Sequence, residues 1–108
     1  MFYNFPHDFN KIEPAPGVVL HTVWGERVMF AHFCIKPNSG VPLHSHPHEQ
    51  MGIILEGEFE LTIGDETRLL KKGDMYLIPS NVSHGGTTYS EQALILDAFS
   101  PPRENYQK

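Results

Sequence analysis

An all-β domain, a sandwich or barrel of short strands, is the fold this sequence predicts, and three observations carry it. Segments rich in β-branched, aliphatic and aromatic residues recur about every eight to twelve residues, with glycine, proline or asparagine between them. Phe59, Leu61 and Ile63 alternate with Glu58, Glu60 and Thr62, the two-residue period of a sheet with one face in water. No stretch before the last few residues shows a helical period. At 108 residues, with 40% hydrophobic and 19% charged, the chain has the make-up of one globular domain with a single modest core.

Residues 1–17 read as an extended arm, because Pro6, Pro14 and Pro16 prevent a continuous helix. Its rings, Phe2, Tyr3, Phe5 and Phe9, are suited to covering a barrel mouth, a partner subunit or the domain's own core. Residues 18–108 form the domain proper. Strands are expected at Val18 to Trp24 and Arg27 to Ile35, joined by a tight hairpin at Gly25-Glu26, with Met29, Ala31, Phe33 and Ile35 on one face. His21 and His32 lie in these strands without a partner motif and read as packed or surface residues. Cys34 is the sole cysteine, so no intrachain disulfide can form, and its apolar strand predicts a buried packing role. The turn Pro37-Asn38-Ser39-Gly40 delivers a strand from Val41 to His46. Gln50 to Leu55, Glu58 to Ile63 and Glu66 to Leu70 follow, with turns at Glu56-Gly57 and Gly64-Asp65. Lys71 to Asp74 turns into Met75 to Ile78, Pro79 to Gly86 loops back, and Thr87 to Tyr89 and Gln92 to Phe99 complete the set.

Charge and motif content exclude several functions. The formal net charge is −5 and Lys71-Lys72 is the only adjacent basic pair, so a nucleic acid would meet no basic stripe. No apolar run approaches the length of a membrane span, and Met1 to Asn10 lacks the pattern of a secretory signal, which predicts a cytoplasmic protein. There is no Gly-x-Ser-x-Gly elbow, no cysteine near a histidine motif and no phosphate-cradling glycine loop.

His44-Ser-His-Pro-His-Glu-Gln50 packs three histidines into five positions. Residues i and i+2 of a strand share a face, so His44 and His46 point together, as two ligands of one ion must. Histidines clustered in a turn also occur simply as solvated residues. A second block, Gly73 to His84, ends a strand-like run with a further histidine after a proline turn.

Together the two blocks resemble the paired signature of the cupin family. His44, His46, Gln50 and Gly57, then Gly73, Pro79, Asn81 and His84, hold both of its spacings. Three positions depart: Gln50 replaces a glutamate, Asn81 a glycine, and Asn38 the leading glycine. Asparagine tolerates the left-handed backbone a turn requires. The resemblance implies a jelly-roll β-barrel with a metal inside, held by His44, His46, Gln50 and His84. A neutral amide leaves a divalent ion its full charge, which strengthens a Lewis acid and disfavours oxygen activation. Nickel, iron, manganese, zinc and cobalt all suit imidazole and oxygen donors. His48 and Glu49 are read as rim or supporting groups.

With the flank Asp97-Ala-Phe-Ser-Pro-Pro-Arg103-Glu104 included, the chain is similar to the KdgF family of pectin-degradation cupins. That resemblance implies conversion of a 4,5-unsaturated uronate to linear 5-keto-4-deoxyuronate by a homodimer. Asp97 would shuttle the proton, Phe99 wall the pocket and Arg103 hold the sugar acid's carboxylate. A non-catalytic sugar- or metal-binding module, and a cupin dioxygenase or isomerase with another substrate, are the alternatives.

Overall fold

A computed structural model describes residues 1–108. Ten strands follow in chain order: β1 (Asn10–Ala15), β2 (Val18–Trp24), β3 (Met29–Ile35), β4 (Gly40–His44), β5 (Glu49–Glu56), β6 (Glu58–Ile63), β7 (Glu66–Lys71), β8 (Met75–Ile78), β9 (His84–Thr87) and β10 (Ala93–Ser100). A single 3-10 turn at Glu104–Tyr106 follows. The strands form a six-stranded sheet, β1-β2-β3-β10-β5-β8, and a four-stranded sheet, β4-β9-β6-β7, antiparallel throughout. The arrangement is a cupin-type jelly roll. Its two sheets face one another without closing into one continuously hydrogen-bonded barrel. No helix is long and apolar enough to cross a membrane.

Alternation decides what lies between the sheets. Met29, Ala31, Phe33 and Ile35 of β3 are buried together, as their period requires, against Leu20, Ile54, Phe59, Leu61, Ile95 and Phe99. Turns sit where the sequence supplies residues that tolerate positive φ. Asn38 has φ 54° and Asn81 has φ 66°, so both asparagines take the left-handed conformation that glycine adopts without strain.

The structure departs from expectation at four places. Asn10–Ala15 forms β1 despite Pro14, because β1 is an edge strand, where a missing N–H costs no ladder bond. His84 opens strand β9 instead of ending a loop. Gly85-Gly86 suggested a turn, but a Cβ at Gly86 would meet the Phe59 ring, and one at Gly85 the backbone of Val41 to Leu43. These glycines mark close packing inside a strand. Strand β4 stops at His44, leaving His46 on the connection to β5. Cys34 points out of the core and is half-buried.

Beyond β1, Phe5 packs over His21 and His32, with ring centroids 5.2 and 4.7 Å apart, on the outside of the six-stranded sheet. Those two histidines are packed residues there, remote from the histidine cluster. Asn10 and Thr22 both donate to the Tyr106 carbonyl, so β1 and β2 hold the C-terminal turn in place.

Candidate metal centre

Both sheets contribute to the site. His44 of β4 and His84 of β9 are direct register partners in the four-stranded sheet, with ring centroids 4.3 Å apart. His46, on the β4–β5 connection, approaches them, its ring 5.7 Å from His44 and 4.8 Å from His84. The backbone N–H of Asn81 donates to the His46 carbonyl at 2.8 Å, so the turn of the second motif clamps the connection of the first. Gln50 and Asp97 come from β5 and β10 of the opposite sheet.

The hydrogen bonds of the three imidazoles determine which nitrogens face inward. Nδ1 of His44 donates to the Pro42 carbonyl at 2.8 Å, that of His46 to the His48 carbonyl at 3.0 Å, and that of His84 to the Val82 carbonyl at 2.9 Å. Since a carbonyl only accepts, each Nδ1 carries the proton and each neutral ring keeps a lone pair on Nε2. The ligand nitrogens of the three residues all lie within 4.8 Å of one another. His84 Nε2 is buried with no hydrogen-bond partner, and His46 Nε2 faces the Gln50 carbonyl oxygen at 3.1 Å. Two acceptors so close, with no proton to share, are electrostatically unfavourable unless a cation lies among them. Protonating His46 would also relieve them, but burial first, then the charges of Arg103 and His84, lower its pKa to about 4. Burial likewise lowers that of His84. Three inward lone pairs in a buried pocket fit a metal ion.

Around this cluster lies a cavity of about 420 Å³, counted to its open mouth. His44, His84, Gln50, Asp97, Tyr76 and Arg103 line it, over apolar walls that include Ile35, Phe59 and Ile95. Asp97 is only 3% exposed. One carboxylate oxygen accepts from the Gln50 amide nitrogen at 3.1 Å and the other from the Tyr76 hydroxyl. Burial raises its pKa to about 7, and those two hydrogen bonds pull in the opposite direction.

Arg103 is buried against Tyr106, with its guanidinium carbon 4.1 Å from that ring's centroid and 5.5 Å from that of Phe99. It takes part in none of the chain's ion pairs. Its guanidinium thus faces the cavity without a carboxylate partner, an arrangement chemically suited to an anion. Phe99 is fully buried behind His46, ring centroids 5.8 Å apart, and supports the imidazole from the core without lining the cavity. His48 is buried and bonds Glu104 through Nε2 at 2.8 Å, while its carbonyl orients His46. That bond holds the Glu104 carboxyl below its usual range. Glu49 is exposed at the start of β5.

Sequence reasoning missed Tyr76, Tyr106 and Gly52. Tyr76 shares the parity of buried Ile78, which marks it as inward-facing, but nothing in a lone tyrosine signals a carboxylate partner on another strand.

A jelly roll that gathers three histidines, two on one sheet and one on the connection to the other, beside a largely apolar cavity is the arrangement of a cupin. The chain belongs to the cupin domain family, whose model matches residues 31–99. It is 36% identical over 86 residues to the pectin degradation protein KdgF of Dickeya dadantii, which covers 77% of this chain and 76% of that protein. Over 62 residues it is 34% identical to an H2HPP isomerase of Bacillus subtilis, 56% of this chain but 26% of that one. The solved structure of KdgF from Halomonas sp. superposes with a TM-score of 0.87 at 24% identity, covering 97% of each chain, a likeness of fold.

Proposed function

We propose that the protein is a metal-dependent enzyme that opens the ring of a 4,5-unsaturated uronate to give linear 5-keto-4-deoxyuronate. The observation that carries this reading is the buried, carboxylate-free Arg103 opening onto the same cavity as His44, His84 and Asp97. The kinship with KdgF supports it. His44, His46, Gln50 and His84 hold one divalent ion, which supplies Lewis-acid polarisation of a substrate oxygen when bound. Arg103 pairs its planar fork with the substrate carboxylate and so orients the ring. Asp97 takes the proton of the anomeric hydroxyl as the bond from C1 to the ring oxygen breaks. C1 becomes an aldehyde, and the freed oxygen remains on C5 as an enolate. Asp97 then delivers a proton to C4, and C5 becomes the ketone. Atoms and electrons balance without an oxidant, a reductant or water. The apolar walls keep water from Asp97 between these steps.

The test is to incubate the purified protein, loaded with nickel, with unsaturated galacturonate and follow loss of the conjugated alkene's absorbance. Loss that a chelator abolishes and added nickel restores is the expected result. An unchanged spectrum with stoichiometric metal bound would remove this substrate.

The same reading makes the enzyme a homodimer, with a second copy covering the outer face of the six-stranded sheet. Phe30, Ala98, Met51 and Leu77 are successive register partners across β3, β10, β5 and β8, and Met75, Ile53 and Leu96 form the next row. A sheet face left to water is ordinarily polar. Here Phe30, Met51, Met75 and Leu77 are 50, 54, 70 and 47% exposed, and exposed Glu49, Glu56 and Arg27 stand at the rim. Those four side chains leave on the order of 400 Å² of apolar area, close to the apolar share of the ~800 Å² each partner buries in a standard interface.

A further inference from the structure

Gln50 can offer an oxygen to the three histidines only if its amide is turned the right way, because its carbonyl and amino ends have nearly the same shape. Asp97 makes that choice. An ionised carboxylate only accepts, so with Asp97 ionised the amide end 3.1 Å from it is the NH₂ group and the oxygen points toward His46. The other carboxylate oxygen is engaged by the Tyr76 hydroxyl. Tyr76, Gly52 and Asp97 are register partners on β8, β5 and β10, so the tyrosine reaches the aspartate across the strand that carries Gln50. It crosses at the one point where β5 has no side chain: a Cβ at Gly52 would fall on both the Asp97 carboxylate and the Tyr76 hydroxyl.

We propose that Tyr76 is a positioning residue whose hydroxyl, lying across the slot left by Gly52, fixes Asp97 and through it the amide of Gln50, so that oxygen rather than NH₂ faces the histidines. This rests on the reading of Gln50 as a metal ligand. It gives Asp97 a task before any substrate arrives, in addition to its proton transfer.

The consequence is read by titrating nickel chloride into the metal-stripped full-length protein and into Tyr76→Phe, Gln50→Glu and Tyr76→Phe/Gln50→Glu variants, by calorimetry and without substrate. Wild type takes up one ion. Tyr76→Phe weakens that binding roughly 10- to 100-fold, as loss of a partner behind a ligand does. In the Gln50→Glu background the same change alters affinity less than about twofold, because a carboxylate has oxygen at both ends and no orientation to choose. Gln50→Ala offers the same comparison without a second carboxylate, and there too Tyr76→Phe has no further effect. Equal losses in all backgrounds would make Tyr76 a general support of the fold and overturn the inference. Unchanged affinity in Tyr76→Phe, with wild type binding one ion, would overturn it while leaving the metal reading intact. Failure of wild type itself to bind nickel would remove both.

Discussion

Asp97 touches Gln50, Tyr76 and the cavity at once, so variants there separate chemistry from metal binding. In Asp97→Asn the new amide oxygen can still accept from Gln50 while its NH₂ meets the tyrosine oxygen, so the protein should keep its metal. Turnover should fall about 10²- to 10⁴-fold, the usual loss when a proton shuttle is removed. Metal analysis beside steady-state kinetics checks this; near wild-type turnover would take Asp97 out of the mechanism. Arg103→Lys should mainly raise KM, because a point charge cannot make two parallel hydrogen bonds to a carboxylate. His46→Ala removes the imidazole that faces Gln50 and should lose most of the metal while keeping the β-rich circular dichroism spectrum. Stoichiometric metal in that purified variant would refute the proposed ligand set.

Among the elements, the turn from β8 to β9 does more than reverse the chain. Asn81 stands at φ 66° and its N–H holds the His46 carbonyl, so the conformation of one motif places a histidine of the other. Glycine should be tolerated at position 81. A β-branched residue should not, since the left-handed conformation costs an ordinary residue about 1–2 kcal/mol. Denaturant unfolding of metal-free Asn81→Val should show a loss of that order and Asn81→Gly little change. Nickel affinity should fall with the former. If Asn81→Val bound nickel as tightly as wild type, the turn would have no hold on His46.

For the whole molecule, two buried groups tilt stability against pH in opposite directions. The pKa of His46 is lowered to about 4, so its stability contribution is fully present above its ordinary value of 6.5 and is lost as pH falls through 4. His84, also lowered, acts in the same direction. Asp97 is raised from 3.8 to about 7, so its contribution is fully present below 3.8 and is lost as pH rises through 7. Across the shared window the slope from Asp97 opposes those from the histidines. In urea unfolding, the metal-free protein should therefore gain less stability between about pH 4.5 and about pH 6.5 than Asp97→Asn, in which the opposing carboxyl is absent. A flat profile for the variant would mean that the histidines titrate at ordinary values. At the same scale, wild type should sediment at twice its chain mass at micromolar concentration. Met51→Lys, in the centre of the apolar sheet face, should shift it to monomer without loss of fold. A wild-type monomer would leave that face to some other use.

Local pattern alone determined that the chain is all β and which face of β3 is buried, because alternation and turn chemistry act over a few residues. Resemblance to the cupin signature joined the two histidine blocks in one site with Gln50, and resemblance of the C-terminal flank to KdgF pointed to Asp97 and Arg103. Packing decided the rest. Strand β1 forms despite Pro14 because it pairs at an edge, and Gly85-Gly86 is a strand because the Phe59 ring and the β4 backbone leave no room for side chains. His44 and His46 converge through a connection clamped by Asn81, not by strand alternation. The Tyr76–Asp97–Gln50 track was invisible in the sequence, because its members lie on three strands separated by 21 and 47 positions. Only the register of β8, β5 and β10 brings them together. A hydrogen bond depends on distance in space, which sequence separation does not encode once strands pair out of order.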